Sequence, residues 1–311
     1  MLSSEELQQI MEALHRQFSF SAGAEITLEA NPDDINAESL QQWRSLGFNR
    51  LSIGIQSFAE EELRWMNRAH TAGQAYDCIR LAKENGFSDL SADLIYGSPL
   101  LSDEQWKKNV DTLIEMQLPH ISCYALTVEP KTALDKMISR QQKAPVDPEK
   151  QARQFLLLMR WMKQAGYEHY EISNFALPGH RSRHNSSYWQ GQPYFGFGPS
   201  AHAFDGQRRR WNIANNSLYI QSLQQDTLPF EEEILTPQQQ LNEYIMISLR
   251  TMEGCSLEVI EKKYGADYLE TIMRMADKYL QSGKLLLENN HLVLTKEGKL
   301  FADGIAADLF F

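Results

Sequence analysis

Three runs in the N-terminal third share a pattern that leaves few architectures open: Glu25-Ile-Thr-Leu-Glu-Ala-Asn-Pro32, Arg50-Leu-Ser-Ile-Gly-Ile-Gln-Ser-Phe58 and Leu90-Ser-Ala-Asp-Leu-Ile-Tyr-Gly-Ser-Pro99. Each is short, mixes apolar with polar residues, and carries a polar side chain in its second half. That is the signature of a buried strand. Gly54 inside the middle run leaves room for a close backbone approach or a ligand. Helical patterns lie between the runs, so the reading is a repeated β–α unit with its functional groups gathered at one end of a parallel sheet.

The rest of the chain extends this pattern. Ser3 and Glu6 form a capping-box signature for a first helix bearing Leu7, Ile10, Met11, Leu14 and Phe18. Helices are predicted over 36–46, 73–85, 103–116 and 148–165, the first, second and fourth closed by Gly47, Gly86 and Gly166. Further strands are predicted over 120–127 and, as a single strand, over 167–175. In such an arrangement the C-terminal strand ends form the site, which selects Glu29, Gln56, Asp93 and Ala125. Periodicity fades over 178–233, an irregular stretch rich in aromatic and Arg residues and expected to cover the mouth of the sheet. From Thr236, three helices and a hairpin turning on Asn289-Asn290 suggest a winged-helix shape. The expected organisation is a partial barrel over 1–177, the connecting region over 178–233 and a small C-terminal domain over 234–311.

Composition matters for what it excludes. A net charge of −11 in 311 residues argues against a general nucleic-acid binder, which needs a basic footprint. The C-terminal region is itself richer in acidic than in basic residues, which weighs against a DNA-binding winged-helix regulator. No apolar run approaches a membrane span, and the N-terminus is not a signal peptide. A cytoplasmic location is expected, with room left for peripheral membrane contact. Cys78, Cys123 and Cys255 are far apart and show no metal-site spacing; they read as buried thiols.

Taken together, Leu28-Glu-Ala-Asn-Pro32, Gly47-Phe-Asn-Arg-Leu-Ser-Ile-Gly-Ile-Gln-Ser-Phe58, Asn67-Arg68 and Asp93-Leu-Ile-Tyr-Gly97 resemble the oxygen-independent coproporphyrinogen III oxidase family of radical S-adenosylmethionine proteins. The resemblance spans nearly the whole chain. It implies an α/β fold, a partial (β/α) barrel of radical SAM type with a small C-terminal winged-helix-like domain. His184-Asn-Ser-Ser-Tyr-Trp189 and Gly196-Phe-Gly-Pro-Ser-Ala-His202 look most like the haem-chaperone branch, whose members bind haem and pass it to an acceptor protein. The resemblance assigns Glu29, Gln56, Arg68, Asp93 and Ala125 to S-adenosylmethionine: Arg68 to its carboxylate, Asp93 to its ribose, Ala125 to its adenine. Each has a plain structural alternative as an ion pair, a loop-stabilising hydrogen bond or a solvated side chain. For haem the candidates are His184, with Tyr188 and Trp189 as flat neighbours, and His202; Arg181 and Arg183 are candidates for the propionates.

One departure bears on the chemistry. The family opens with a strand leading into a CxxxCxxC loop that holds a 4Fe–4S cluster, followed by a strand with a Gly-rich motif. Neither is found in this sequence, so the barrel is expected to lack its first strands. Three scattered cysteines do not replace cluster thiolates, and the chain alone is not expected to perform radical chemistry. Its Glu25–Ala30 strand is expected to form a sheet edge that invites self-association. Three functions follow: a haem chaperone-like protein, an oxidase decarboxylating coproporphyrinogen or its inactive remnant, and a winged-helix regulator.

Overall fold

The computed structural model describes residues 2–311, which divide into two units, one ending at Ser182 and the other running from Arg183 to Phe311. In the first unit, helix α1 (Ser4–Gln17) starts on the Ser3/Glu6 capping box and buries Leu7 and Met11. Strand β1 (Thr27–Ala30), helix α2 (Ala37–Ser45), β2 (Arg50–Gln56), α3 (Glu60–Trp65), α4 (Ala72–Glu84), β3 (Asp89–Tyr96), α5 (Asp103–Glu115) and β4 (His120–Ala125) follow. Then come α6 (Ala133–Ser139), α7 (Pro148–Gln164), β5 (Glu168–Glu171) and β6 (Asn174–Ala176).

The six strands form one sheet in the order β1-β2-β3-β4-β6-β5. The first four are parallel. Residues 167–175 are not one strand: β5 and β6 form a hairpin that joins β4 antiparallel. An apolar single strand and a short hairpin look alike over so few residues, because Tyr170 and Phe175 are buried in either case. Helices α3 and α6 are also additions, each too short to carry a helical period of its own. β1 begins at Thr27 rather than Glu25 and lies at the sheet edge.

Strand alternation divides the sheet into two unlike faces. Leu51, Ile53, Ile55, Leu90, Ala92, Leu94, Ile121 and Cys123 are buried on one. That face is matched by helices with apolar positions three and four apart: Ala75, Cys78, Ile79 and Ala82 on α4, and Phe155, Leu158, Met159 and Met162 on α7. The opposite face carries Glu29, Arg50, Ser52, Ser91, Asp93, His120 and Ser122, in rows set by the register Glu29–Ser52–Ser91–His120 and Asp93–Ser122.

In the second unit, residues read as irregular are ordered. They hold α8 (Arg183–Trp189), β7 (His202–Phe204), β8 (Arg208–Asn212), α9 (Asn216–Leu223) and β9 (Phe230–Ile234), and the three strands make an antiparallel sheet. Helix α10 (Pro237–Leu249), strand β10 (Cys255–Ser256), α11 (Leu257–Tyr264), α12 (Ala266–Gln281), β11 (Leu285–Glu288), β12 (His291–Leu294) and α13 (Ala302–Asp308) complete the unit. The three helices followed by a hairpin give the expected winged-helix-like arrangement, with β10 added to the hairpin sheet.

The hairpin turns on Asn289 and Asn290, both in the left-handed region at φ 47° and 64°. Two consecutive positive φ values are what a two-residue turn matching strand twist requires. A β-branched side chain there costs about 1–2 kcal/mol. Asn290→Val is therefore expected to lower stability by that amount in urea denaturation, with Asn290→Gly showing no loss. Equal losses in both variants would assign the turn's stability to the Asn side chain instead.

Candidate functional site

The polar face of the first unit is where the sequence candidates gather. Arg68 follows α3, and its Nη2 donates to Asn31 Oδ1 at 2.6 Å and to the Gly54 carbonyl at 3.2 Å. Its Nε is buried without a hydrogen-bond partner. Gln56 has φ 64°, at the end of β2 where the pairing with β3 slips between Ile53 and Gln56. A bulge of this kind re-aims a side chain, and here it lays the Gln56 amide over Gly54. A Cβ on Gly54 would sit 2.9 Å from Gln56 Nε2 and 3.3 Å from Arg68 Nη2. A side chain at this position would displace the Gln56 amide from where it converges with Arg68 and Asn31.

Asp93 lies within β3 rather than at its end. Burial pushes its carboxyl up to about 6, and the Glu29 charge adds to this. A hydrogen bond with Ser122 and the charges of Arg50 and Arg68 pull the other way. Those same interactions place Glu29, Arg50, Arg68 and Asp93 in one electrostatic neighbourhood. Glu29 itself is exposed, which corrects its expected burial: β1 is an edge strand and its carboxylate faces water. Ala125, also exposed, ends β4 in register with Tyr96.

Several residues of this face escape a reading based on strand ends. Arg50 is 4% exposed, with Nε 3.4 Å from Asp89 Oδ1. His120 is wholly buried, its Nδ1 2.7 Å from Ser91 Oγ and its Nε2 2.7 Å from the Tyr170 hydroxyl. Burial and the Arg50 charge push its pKa down to about 3, so the ring is neutral and each nitrogen has one role. Their signal was the Ser91/Asp93 alternation in β3, which marks the polar face before any strand end is reached.

The haem candidates lie in the second unit. On α8, His184 meets Tyr188 edge-to-face at 4.9 Å, and Tyr188 meets Tyr194 in the same way at 4.7 Å. Tyr188 and Trp189 line a cavity of about 350 Å³ together with Tyr194, Phe204, Tyr244 and Tyr264. His184 touches Tyr188, whereas His202 lies on β7 against Trp211, 6.3 Å between rings. His184, Tyr188 and Trp189 thus share α8, and neither His184 nor His202 lines the cavity itself. Gly196 is fixed by the His202 backbone, whose oxygen a Cβ would meet at 1.9 Å. Arg181 is engaged in the first unit, 2.9 Å from Glu168 and over the Tyr170 ring.

The three cysteines do not fit a cluster. All are buried, on α4, β4 and β10, and burial pushes Cys78 up to about 12, Cys255 up to about 11 and Cys123 well above its usual value. Thiols so placed resist the deprotonation that ligation needs. Among the described residues, no group of three His, Cys, Asp or Glu side chains could hold a metal ion.

Residues 2–113 match the radical SAM superfamily model, and residues 235–301 match the HemN C-terminal domain. A Bacillus subtilis protein described as "Heme chaperone HemW" is 31% identical over 98% of this chain and 81% of its own length. A Mycobacterium tuberculosis protein of the same description is 33% identical over 99% of this chain and 77% of its own. The chain belongs to the HemW family. The solved coproporphyrinogen III oxidase (HemN) from Escherichia coli shares the fold, with a TM-score of 0.85 at 22% identity, covering 99% of this chain and 75% of that one. The six-stranded sheet of this HemW-family chain thus has the α/β fold of that enzyme, and its residues 2–113 match the radical SAM model. No helix among the described residues is long and apolar enough to cross a membrane.

The Asp93 environment makes stability depend on pH. A carboxyl whose folded pKa is raised binds its proton more tightly folded than unfolded, so stability falls as pH rises from about 4 to about 6. The fall is roughly 2–3 kcal/mol. Asp93→Asn is expected to flatten that slope and to be the more stable protein at pH 7 in denaturation at a series of pH values. Parallel curves for the two proteins would place the titration elsewhere.

Proposed function

We propose that this HemW-family chain binds haem and hands it to an acceptor protein. The observation that carries the reading is helix α8, which sets His184 against the Tyr188 ring, itself against Tyr194, with Tyr188 and Trp189 lining an aromatic cavity. Haem needs an axial ligand next to flat apolar surfaces, and this helix offers both. His184 is exposed enough to reach an iron, with Tyr188 and Trp189 as its flanking surfaces. His202, held against Trp211, is the lesser candidate.

Glu29, Gln56, Arg68, Asp93 and Ala125 are proposed to hold S-adenosylmethionine. The support is chemical: a buried guanidinium Nε without an acceptor, a glycine that opens the backbone, and a desolvated carboxyl. Arg68 would meet the carboxylate of the methionine part as a charge-assisted pair. Asp93 would accept from ribose hydroxyls and Ala125 would leave space for the adenine. Bound there, S-adenosylmethionine supplies an activated sulfonium. The buried cysteines described above offer no site for the cluster that would reduce it. A cytoplasmic location and self-association through the β1 edge belong to the same proposal.

Titration of the chain with haem, followed at the Soret band, tests the reading. Wild type is expected to show a saturable one-to-one spectrum. His184→Ala is expected to weaken binding at least tenfold, a loss of about 1.4 kcal/mol, and His202→Ala to leave it nearly unchanged. A wild-type spectrum that never saturates would remove haem as the cargo. Saturation unaltered in His184→Ala would remove His184 as the ligand.

A further inference from the structure

The cavity of the second unit has walls and donors that together specify a ligand class. Its walls are the rings of Tyr188, Tyr194, Phe204, Tyr244 and Tyr264 with the indole of Trp189. Flat aromatic walls favour a flat apolar body, bound by stacked or edge-on ring contacts. Its volume of about 350 Å³ is at the lower end for small-molecule sites, which run from about 300 to 1,000 Å³. It suits the edge of a planar macrocycle.

The donors are unequal. Arg209 lines the cavity but is engaged by Glu243 at 2.5 Å and by Glu233 at 3.5 Å. Its charge is matched within the protein. Lys263 lines the same cavity and sits 5.2 Å from the Tyr264 ring, and among the described residues no carboxylate pairs with it within 4.0 Å. Trp189 adds an indole N–H that is buried and has no hydrogen-bond partner. A buried N–H left in this way costs free energy unless a ligand or water accepts from it. One cation and one N–H donor without acceptors, on aromatic walls, call for a flat ligand with a carboxylate.

We propose that this cavity seats the propionate-bearing edge of a porphyrin, with Lys263 and Trp189 meeting the carboxylate, and that it does so whether or not the ring holds iron. This rests on the haem reading, since that reading supplies the ring system. It adds that recognition of the ring is separate from ligation of the metal. His184 serves the iron; the cavity serves the organic edge.

The experiment titrates the full chain with haem, with iron-free protoporphyrin IX and with the dimethyl ester of protoporphyrin IX. Binding is read by absorbance and by quenching of porphyrin fluorescence. The variants are His184→Ala, Lys263→Gln and Val259→Trp. Val259 lines the cavity and is 39% exposed, so a larger side chain fills the space from the rim. Wild type is expected to bind protoporphyrin within about tenfold of haem. His184→Ala should weaken haem alone. Val259→Trp should weaken both free acids at least tenfold. Lys263→Gln should weaken them three- to tenfold and leave the ester unaffected; because this side chain is exposed, the variant keeps the test decisive if Val259→Trp folds poorly.

Haem binding that depends on His184 but is unmoved by Lys263→Gln and Val259→Trp would overturn the cavity while the haem reading stands. Haem binding without any protoporphyrin binding would overturn independence from iron. Absence of saturable binding for both would overturn the two readings together.

Discussion

Everything in the first unit depends on how a parallel sheet carries buried polar side chains on one of its faces. The other face is covered by helices and could be filled by any well-packed apolar set. On the polar face each group needs a partner, because an unsatisfied polar atom in the interior costs more than a hydrogen bond returns. His120 shows the solution. A neutral imidazole, held so by burial and by Arg50, bridges Ser91 and Tyr170 across three strands. A charged ring there would face the Arg50 guanidinium. The neutral bridge lets β3, β4 and the hairpin meet without a buried like-charge contact beside Arg50.

Strain is concentrated next to it. Gln56 occupies a backbone region that L residues avoid, at a slip in the β2–β3 pairing. Such a conformation persists only where its surroundings hold it. Here the hold comes from Arg68, which grips the Gly54 carbonyl and Asn31, and from His70, whose Nε2 donates to the Ile55 carbonyl at 3.0 Å. The end of β2 is fixed by side chains arriving from the segment after α3. The loop Asn67–His70 is therefore part of the site and not only a connection between helices.

Legibility in the sequence followed the apolar period. The four parallel strands, α4, α5 and α7 are visible because Leu51, Ile53, Ile55 and the stripe Phe155–Met162 repeat as their secondary structure demands. The C-terminal hairpin was visible because Asn289-Asn290 states its turn type. The sheet of β7, β8 and β9 was not, and the reason is physical. Its β8–β9 cross-strand pairs are polar: ion pairs of Arg210 with Glu232 at 2.8 Å and Arg209 with Glu233 at 3.5 Å, and the Trp211 indole donating to Glu231 at 3.2 Å. Adjacent arginines facing adjacent glutamates give pairing without alternation of apolar residues. A search for period two passes over them. The candidate site was half visible for a similar reason: motifs named Glu29, Gln56, Arg68 and Asp93, but Arg50, Asn31 and His120 acquire meaning only from register.

Buried polar atoms that lack a partner sharpen the distinction between scaffold and site. They include the acceptor Glu62 Oε2 and the donors Arg68 Nε and Trp189 Nε1, whereas Arg50 Nε and Asp89 Oδ1 face each other in an ion pair. A carboxyl can answer burial by keeping its proton, and burial does push Glu62 and Asp89 upward. A guanidinium or an indole has no such recourse, since neither gives up its proton in the working range of a protein. Its buried N–H must find an acceptor brought from outside the chain, whether water or ligand. These two donors, Arg68 and Trp189, belong to residues already selected by motif, each beside a glycine-opened backbone or an aromatic cavity. Both unmet demands are for a hydrogen-bond acceptor, the kind of group that a carboxylate is able to supply.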